Sequence, residues 1–356
     1  MSSIAAPPPG AAAAPPPSPA PAPRPEKGVR PRSARDLADR FFRGGARGAG
    51  VTVLAIMVAV GLFLSLQATD AVREAGWSFF TTEEWAPGAG GFGIAAVLFG
   101  TVMIALVAIT IAVPLALGTA LYISEYAPRG LKQTLVNAVD LMAAVPSVVY
   151  GLWGLFLLQP YLMVEGEQGN GIPRWLSTWF GWIPIFRVDG VNRDDPLSTA
   201  SVYTSSTLIA GIVVAMMVTP IACSVMREVF DQAPIGEREG AYALGATRWG
   251  MIRAVVLPFG RGGIIGGTML GLGRALGETI GVYMIISPIF EVQWQILENG
   301  AISISSLIAL RYGDASPFGM SALMAAGMTL FLVTLVVNFT ASTIVARSRS
   351  GAESEV

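Results

Sequence analysis

Arg274 and Glu278 are opposite charges four residues apart in Gly262–Phe290, a stretch otherwise apolar and rich in glycine. On a helix that spacing puts both on one face, where they can pair. Arg274 stands about 18 Å into the stretch at 1.5 Å per residue, near the middle of a ~30 Å hydrocarbon core. An unpaired charge at that depth costs ~3 kcal/mol on insertion scales, so the guanidinium should face protein or water. Its planar fork donates two hydrogen bonds and suits a tetrahedral oxyanion. The chemistry expected is transient stabilisation of a passing anion by Arg274, with Glu278 holding the guanidinium and preventing a trap. A mutually neutralising structural pair is the alternative.

Composition narrows the remaining chemistry. The 356 residues include no histidine, which removes imidazole as base, shuttle or ligand. One cysteine, Cys223, excludes an intrachain disulfide and thiolate clusters. No G-x-x-x-x-G-K-[ST] loop is present, so the chain should not hydrolyse ATP. No cofactor and no metal is expected, and a net charge of −1 gives no sign of nucleic-acid binding.

These residues need membrane elements to position them. With 53% hydrophobic and 13% charged residues, the chain falls in the membrane class. Six apolar segments are long enough to cross a bilayer: about 48–67, 94–123, 134–158, 205–226, 262–290 and 317–346. Glycine runs in the fifth (Gly263, Gly267, Gly271 and Gly273, Gly277, Gly281) predict close helix packing or a hinge. Pro146-Ser147 in the third segment and Thr219-Pro220 in the fourth predict kinks and a candidate gate. Pro114 does the same in the second. Asp140, about six residues into the third and near its cytoplasmic face, should cap or pair with a loop arginine, and Asn338 should bond between helices.

Residues 1–47 form an Ala/Pro-rich and then basic tail, expected to be disordered. Its apolar stretch starts too late for a cleaved secretory signal. The first span is 48–67, a core with five spans covers 94–346, a charged loop occupies 227–261, and 347–356 is a short tail. The two tails, the 124–133 loop and the 227–261 loop hold 17 of the 23 basic residues. The positive-inside rule therefore puts both termini in the cytoplasm of a multi-pass plasma-membrane protein. Trp175, Trp179 and Trp182 in the opposite loop suit an interfacial belt or a packed external subdomain.

The 227–261 loop is the most informative stretch. Pro234 with Glu237 and Glu239 suits a helix start, and Gly245 a stop. Thr247 can cap a second short helix that Pro258 ends. Ala241, Leu244, Trp249 and Ile252 would supply apolar contacts within this compact knob. Glu239, Ala241, Gly245, Leu257 and Pro258 resemble the E-A-A-x-x-x-G…I-x-L-P pattern of importer-type ABC permeases, with Gly240 and Val255 as mild departures. An amphipathic loop lying on the bilayer is the alternative. The resemblance implies that this loop docks in a groove of a separate ATPase, Glu239 and Gly245 taking the coupling roles.

Further segments sharpen the likeness. Thr82-Glu83-Glu84-Trp85-Ala86-Pro87, Tyr122-Ile123-Ser124-Glu125-Tyr126-Ala127-Pro128, Val145-Pro146-Ser147-Val148-Val149-Tyr150-Gly151 and Gly271-Leu272-Gly273-Arg274-Ala275-Leu276-Gly277-Glu278-Thr279 resemble the PstC-type permeases of phosphate importers. The resemblance covers about residues 50–346. It implies an all-α fold of the type I importer (MetI-like) class with six transmembrane helices. The partners implied are a PstA-like sister permease, a PstB-like ATPase dimer and a PstS-like external phosphate-binding protein. A sister-type permease, or one for molybdate, sulfate or another oxyanion, remains the nearest alternative. An ion-coupled carrier would show inverted repeats with coupling carboxylates, and neither is found.

Overall fold

The computed structural model describes residues 33–88, 91–164, 171–188 and 202–349, which are mostly helical. Residues 1–32 of the Pro-rich tail and 350–356 of the C-terminal tail lie outside the described residues. The chain divides into two units, 1–57 and 58–356.

In the first unit, helix α1 (Ser33–Gln67) begins well before the apolar run. The basic stretch after Ser33, expected to be disordered, is helical; the absence of proline between Pro31 and Pro87 permits this despite Gly44, Gly45, Gly48 and Gly50.

The second unit begins within α1, where Ser65 Oγ lies 3.6 Å from Met328 Sδ. Helix α2 (Thr69–Ala75) follows, then a two-stranded antiparallel hairpin, β1 (Trp85–Ala86) with β2 (Gly91–Phe92), Trp85 facing Phe92. Helix α3 (Ala95–Leu121) runs through Pro114 and ends in a wider π turn, Tyr122–Tyr126. Among the described residues, five helices are long and apolar enough to cross a membrane: Arg40–Gln67, Ala95–Tyr126, Ser147–Val164, Thr207–Asp231 and Pro317–Ile344. A bent pair, Arg248–Phe259 with Arg261–Leu276, makes a sixth if counted as one span.

The third span differs from the expected 134–158. Helix α4 (Arg129–Ala143) is separate and amphipathic, and α5 (Ser147–Trp153), extended as a π-helix over Gly154–Val164, is the span. Proline disfavours helical backbone at the residue before it, so Pro146 does not kink one helix here but separates two. The apolar stripe Leu135, Val136 and Val139 of α4 packs on α7 (Thr207–Asp231), and polar contacts flank it. Lys132 Nζ sits 2.9 Å from Asp231 Oδ1, and Ser224 Oγ donates to Asp140 Oδ1 at 3.0 Å. Asp140 is therefore held by a serine rather than by a loop arginine.

Before α7, helix α6 (Ile172–Phe180) turns Leu176 towards Met103, Leu208 and Leu297 and leaves Trp175 and Trp179 exposed; Trp182 beyond it is exposed too. After α7 come α8 (Ile235–Ala243), α9 (Arg248–Phe259) and α10 (Arg261–Leu276). The chain continues through the single turn α11 (Ile280–Tyr283), α12 (Ile304–Arg311) and α13 (Pro317–Arg349).

Small residues set the core packing. Ala108, Ala112, Ala116 and Ala120 of α3 are all 0% exposed at four-residue spacing, and α3 packs on α7. On α10, a Cβ at Gly263 would lie 2.6 Å from Val229 Cβ, and one at Gly271 2.5 Å from Val218 Cγ1. Such stripes let helix backbones approach where no hydrophobic effect drives them together.

Candidate translocation site and coupling loop

The expected fifth span breaks where its charges begin. Helix α10 ends at Leu276, and Gly277–Thr279 are not helical. Glu278 therefore lies beyond the helix that carries Arg274, and no ion pair joins them among the described residues. Glu278 is buried, and its Oε1 accepts the Gly281 N–H at 3.1 Å, capping the turn α11. Arg274 is exposed and makes no hydrogen bond or ion pair among the described residues. It lies near enough to Tyr150 of α5 to act on that phenol electrostatically. The carboxylate is thus a cap, and the guanidinium is left open.

A break inside a membrane span leaves carbonyls that need donors. Hydroxyls supply them. Thr279 Oγ1 donates to Gly277 O at 3.2 Å, Ser305 Oγ to Glu278 O at 2.6 Å and Ser306 Oγ to Thr279 O at 3.1 Å. Ser303 caps α12, and its Oγ donates to Ser306 Oγ at 2.8 Å. The Ile304 N–H in turn reaches Thr101 Oγ1 of α3 at 2.9 Å. Sequence reasoning missed this cluster; its signal was the hydroxyl-rich run Ser303-Ile304-Ser305-Ser306 before an apolar helix. Ser306 also lines a cavity of about 350 Å³ with Tyr283, Met284 and Ile286.

The second glycine run divides its tasks. Gly273 faces Asn338 of α13, Gly277 lies in the break, and Gly281 meets α5, where a Cβ on Gly151 would fall 3.1 Å from Gly281 Cα. Of the kink residues, Pro146 and Ser147 open α5, and the Tyr150 hydroxyl closes the gap by donating to Met142 O at 2.9 Å. Thr219 and Pro220 sit inside α7, which continues unbroken; Thr219 Oγ1 donates to Ala215 O at 2.7 Å.

In the 227–261 loop, α8 ends at Ala243, and Gly245 takes φ +83°, a conformation that only glycine adopts readily. The Thr247 side chain caps α9 by accepting the Gly250 N–H at 3.1 Å. The helix ends at Phe259, one residue past Pro258, and the chain bends by 66° at Gly260. Met251, Ile252 and Val256 are buried against Leu121, Ile123 and Phe230, with Ala241 and Leu257 packed on them. Leu244 (91% exposed) and Trp249 (56%) point outwards, not into the knob as expected. Glu239 is exposed, whereas its neighbour Arg238 turns in to Glu125 at 3.0 Å.

A polytopic helical protein whose broken span carries an open arginine, and whose helical loop exposes Leu244 and Trp249, has the organisation of a membrane permease subunit. Residues 112–350 match the family described as binding-protein-dependent transport system inner membrane component. The phosphate transport system permease protein PstC 2 of Mycobacterium tuberculosis is 35% identical over 310 residues, covering 86% of this chain and 91% of the relative. PstC of Xylella fastidiosa is 38% identical over 300 residues, covering 84% and 88%. The chain belongs to this inner membrane component family and, within it, to the PstC permease proteins. A chain of a bacterial alginate ABC transporter crystal structure shares the fold at 16% identity, TM-score 0.57, covering 88% of this chain and 96% of that one. The protein is thus an all-α, multi-pass membrane protein with the type I importer permease fold.

Proposed function

We propose that this chain is one permease subunit of an ATP-driven importer that moves inorganic phosphate into the cytoplasm. The observation that carries the reading is Arg274, exposed in a membrane span and without an ion pair among the described residues. Lipid would not tolerate it, so a second subunit and the passing anion must supply its surroundings. The family supports phosphate as that anion. A PstA-like permease would complete the path and a PstS-like protein would deliver phosphate outside. Distribution of arginine and lysine supports cytoplasmic termini and a cytoplasmic 227–261 loop.

On this reading ATP is hydrolysed by a PstB-like pair, which receives Leu244 and Trp249 with Glu239 at the rim. ATPase closure moves the loop and switches the side to which the path opens. Arg274 binds phosphate only in passing, since a tight site would block release. Reconstitution with the three partners tests this directly: labelled phosphate should accumulate only with ATP. Uptake without ATP would overturn the importer reading, and sulfate in place of phosphate would reassign the substrate.

A further inference from the structure

We infer that the turn Ser124-Glu125-Tyr126, at the end of α3, is the seat through which the coupling loop drives the permease core. The inference rests on the coupling role proposed above. Both limbs of the loop hold this turn with a cation. From α8, Arg238 Nη1 lies 3.0 Å from Glu125 Oε1 and 3.3 Å from Oε2. Its Nη2 donates to Phe230 O, at the end of α7, at 2.5 Å. From α9, the Arg248 guanidinium stands 5.1 Å from the centre of the Tyr126 ring. Ser124 Oγ donates to Glu125 Oε1 at 2.8 Å and fixes the carboxylate further.

Burial of the carboxylate separates this pair from the other ion pairs nearby. The Glu125 side chain is 5% exposed, against 31% for Asp231, which pairs with Lys132 and Arg227. Exposed pairs contribute little, but removing one partner of a buried pair strands a charge. Adhesion of the loop does not need the pair, because Met251, Ile252 and Val256 already bury its root. What the pair adds is direction: any displacement of α8 pulls on one residue of α3.

Helix α3 carries that displacement to the broken span. From Leu121, where the turn begins, to Thr101 it is a helix of about 30 Å at 1.5 Å per residue. Thr101 holds the Ile304 N–H, and the following Ser305 and Ser306 hold the carbonyls of Glu278 and Thr279 beside Arg274. A continuous chain of named contacts thus joins loop to break. Glu125, Tyr126, Arg238 and Arg248 are positioning residues in it.

The test uses the complete reconstituted complex and reads phosphate moved per ATP hydrolysed, with ATPase co-purification measured alongside. Glu125→Gln and Arg238→Gln should each retain the ATPase and its hydrolysis but lower phosphate per ATP by about fivefold or more, and the double variant should be no worse than the poorer single. Tyr126→Leu, at a half-exposed ring, should assemble normally and lower the same ratio by about twofold. An unchanged ratio in either Gln variant, or additive losses in the double, overturns the inference. If the Gln variants do not assemble, Tyr126→Leu decides alone: a lowered ratio supports the seat and an unchanged one overturns it. Failure of the unaltered chain to bind the ATPase would instead sink the coupling reading itself.

Discussion

Glu278 and Arg274, one helical turn apart in sequence, are not partners: Glu278 Oε1 takes the Gly281 N–H at 3.1 Å while Arg274 stays exposed. The two residues therefore answer to different tests. Replacing Arg274 by alanine should leave a folded, assembled subunit and lower phosphate uptake by about tenfold or more, the worth of a charge-assisted hydrogen bond. Uptake into proteoliposomes checks this, and a normal rate would refute the role given to Arg274.

Glu278→Gln keeps the accepting oxygen of the cap. It should cost less than about 0.5 kcal/mol, whereas Glu278→Ala should lose about 1 kcal/mol, as other cap removals do. Thermal unfolding of the detergent-solubilised chain distinguishes them. Equal destabilisation by both would show that charge, not capping, is what the position supplies.

Ser305→Ala leaves the Glu278 carbonyl without its hydroxyl in a buried site, at a cost of about 1–3 kcal/mol. The melting temperature should fall, and transport with it. An unaltered melting temperature would mean the break does not depend on that hydroxyl.

Leu244→Asp changes the most exposed apolar side chain of the 227–261 loop while disturbing no internal contact. ATPase co-purification should be lost and pairing with the sister permease kept. Retention of the ATPase would remove Leu244 from the docking face.

Cys223 is 1% exposed between α3 and α7. A membrane-permeant maleimide should leave it unlabelled in the folded subunit and label it after denaturation. Ready labelling would contradict the alanine-tight packing of those helices.

Much of the architecture was legible because membrane spans announce themselves by length and apolar content. The Thr247 cap and the Gly245 stop were also readable, since each depends on a local residue preference. Two boundaries were not. The third segment is continuous in hydropathy, yet Pro146 separates an amphipathic helix from the true span, and α4 lies against α7 through Leu135, Val136 and Val139 together with the Lys132–Asp231 and Asp140–Ser224 contacts. In the fifth segment the i,i+4 rule presupposes an unbroken helix. The glycines that hinted at a hinge placed the break at Gly277, between the two charges. Ser305 and Ser306 escaped notice because their partners are carbonyls 27 residues away in the chain, which no local pattern encodes. Arg238 was hidden next to Glu239, since adjacent residues on a short helix face different ways.

On the coupling role proposed above, the 66° bend at Gly260 would work as a crank. A thrust along α9 meets α10 more crosswise than lengthwise, so it arrives chiefly as torque. Gly260 has no room for a side chain, because a Cβ would fall 2.3 Å from the Phe230 ring. The elbow is therefore braced at its inner corner and swings rather than slides. A substrate gate at the far end of α10 would then open by rotation, and a small turn would sweep Arg274 aside without drawing its helix through the bilayer.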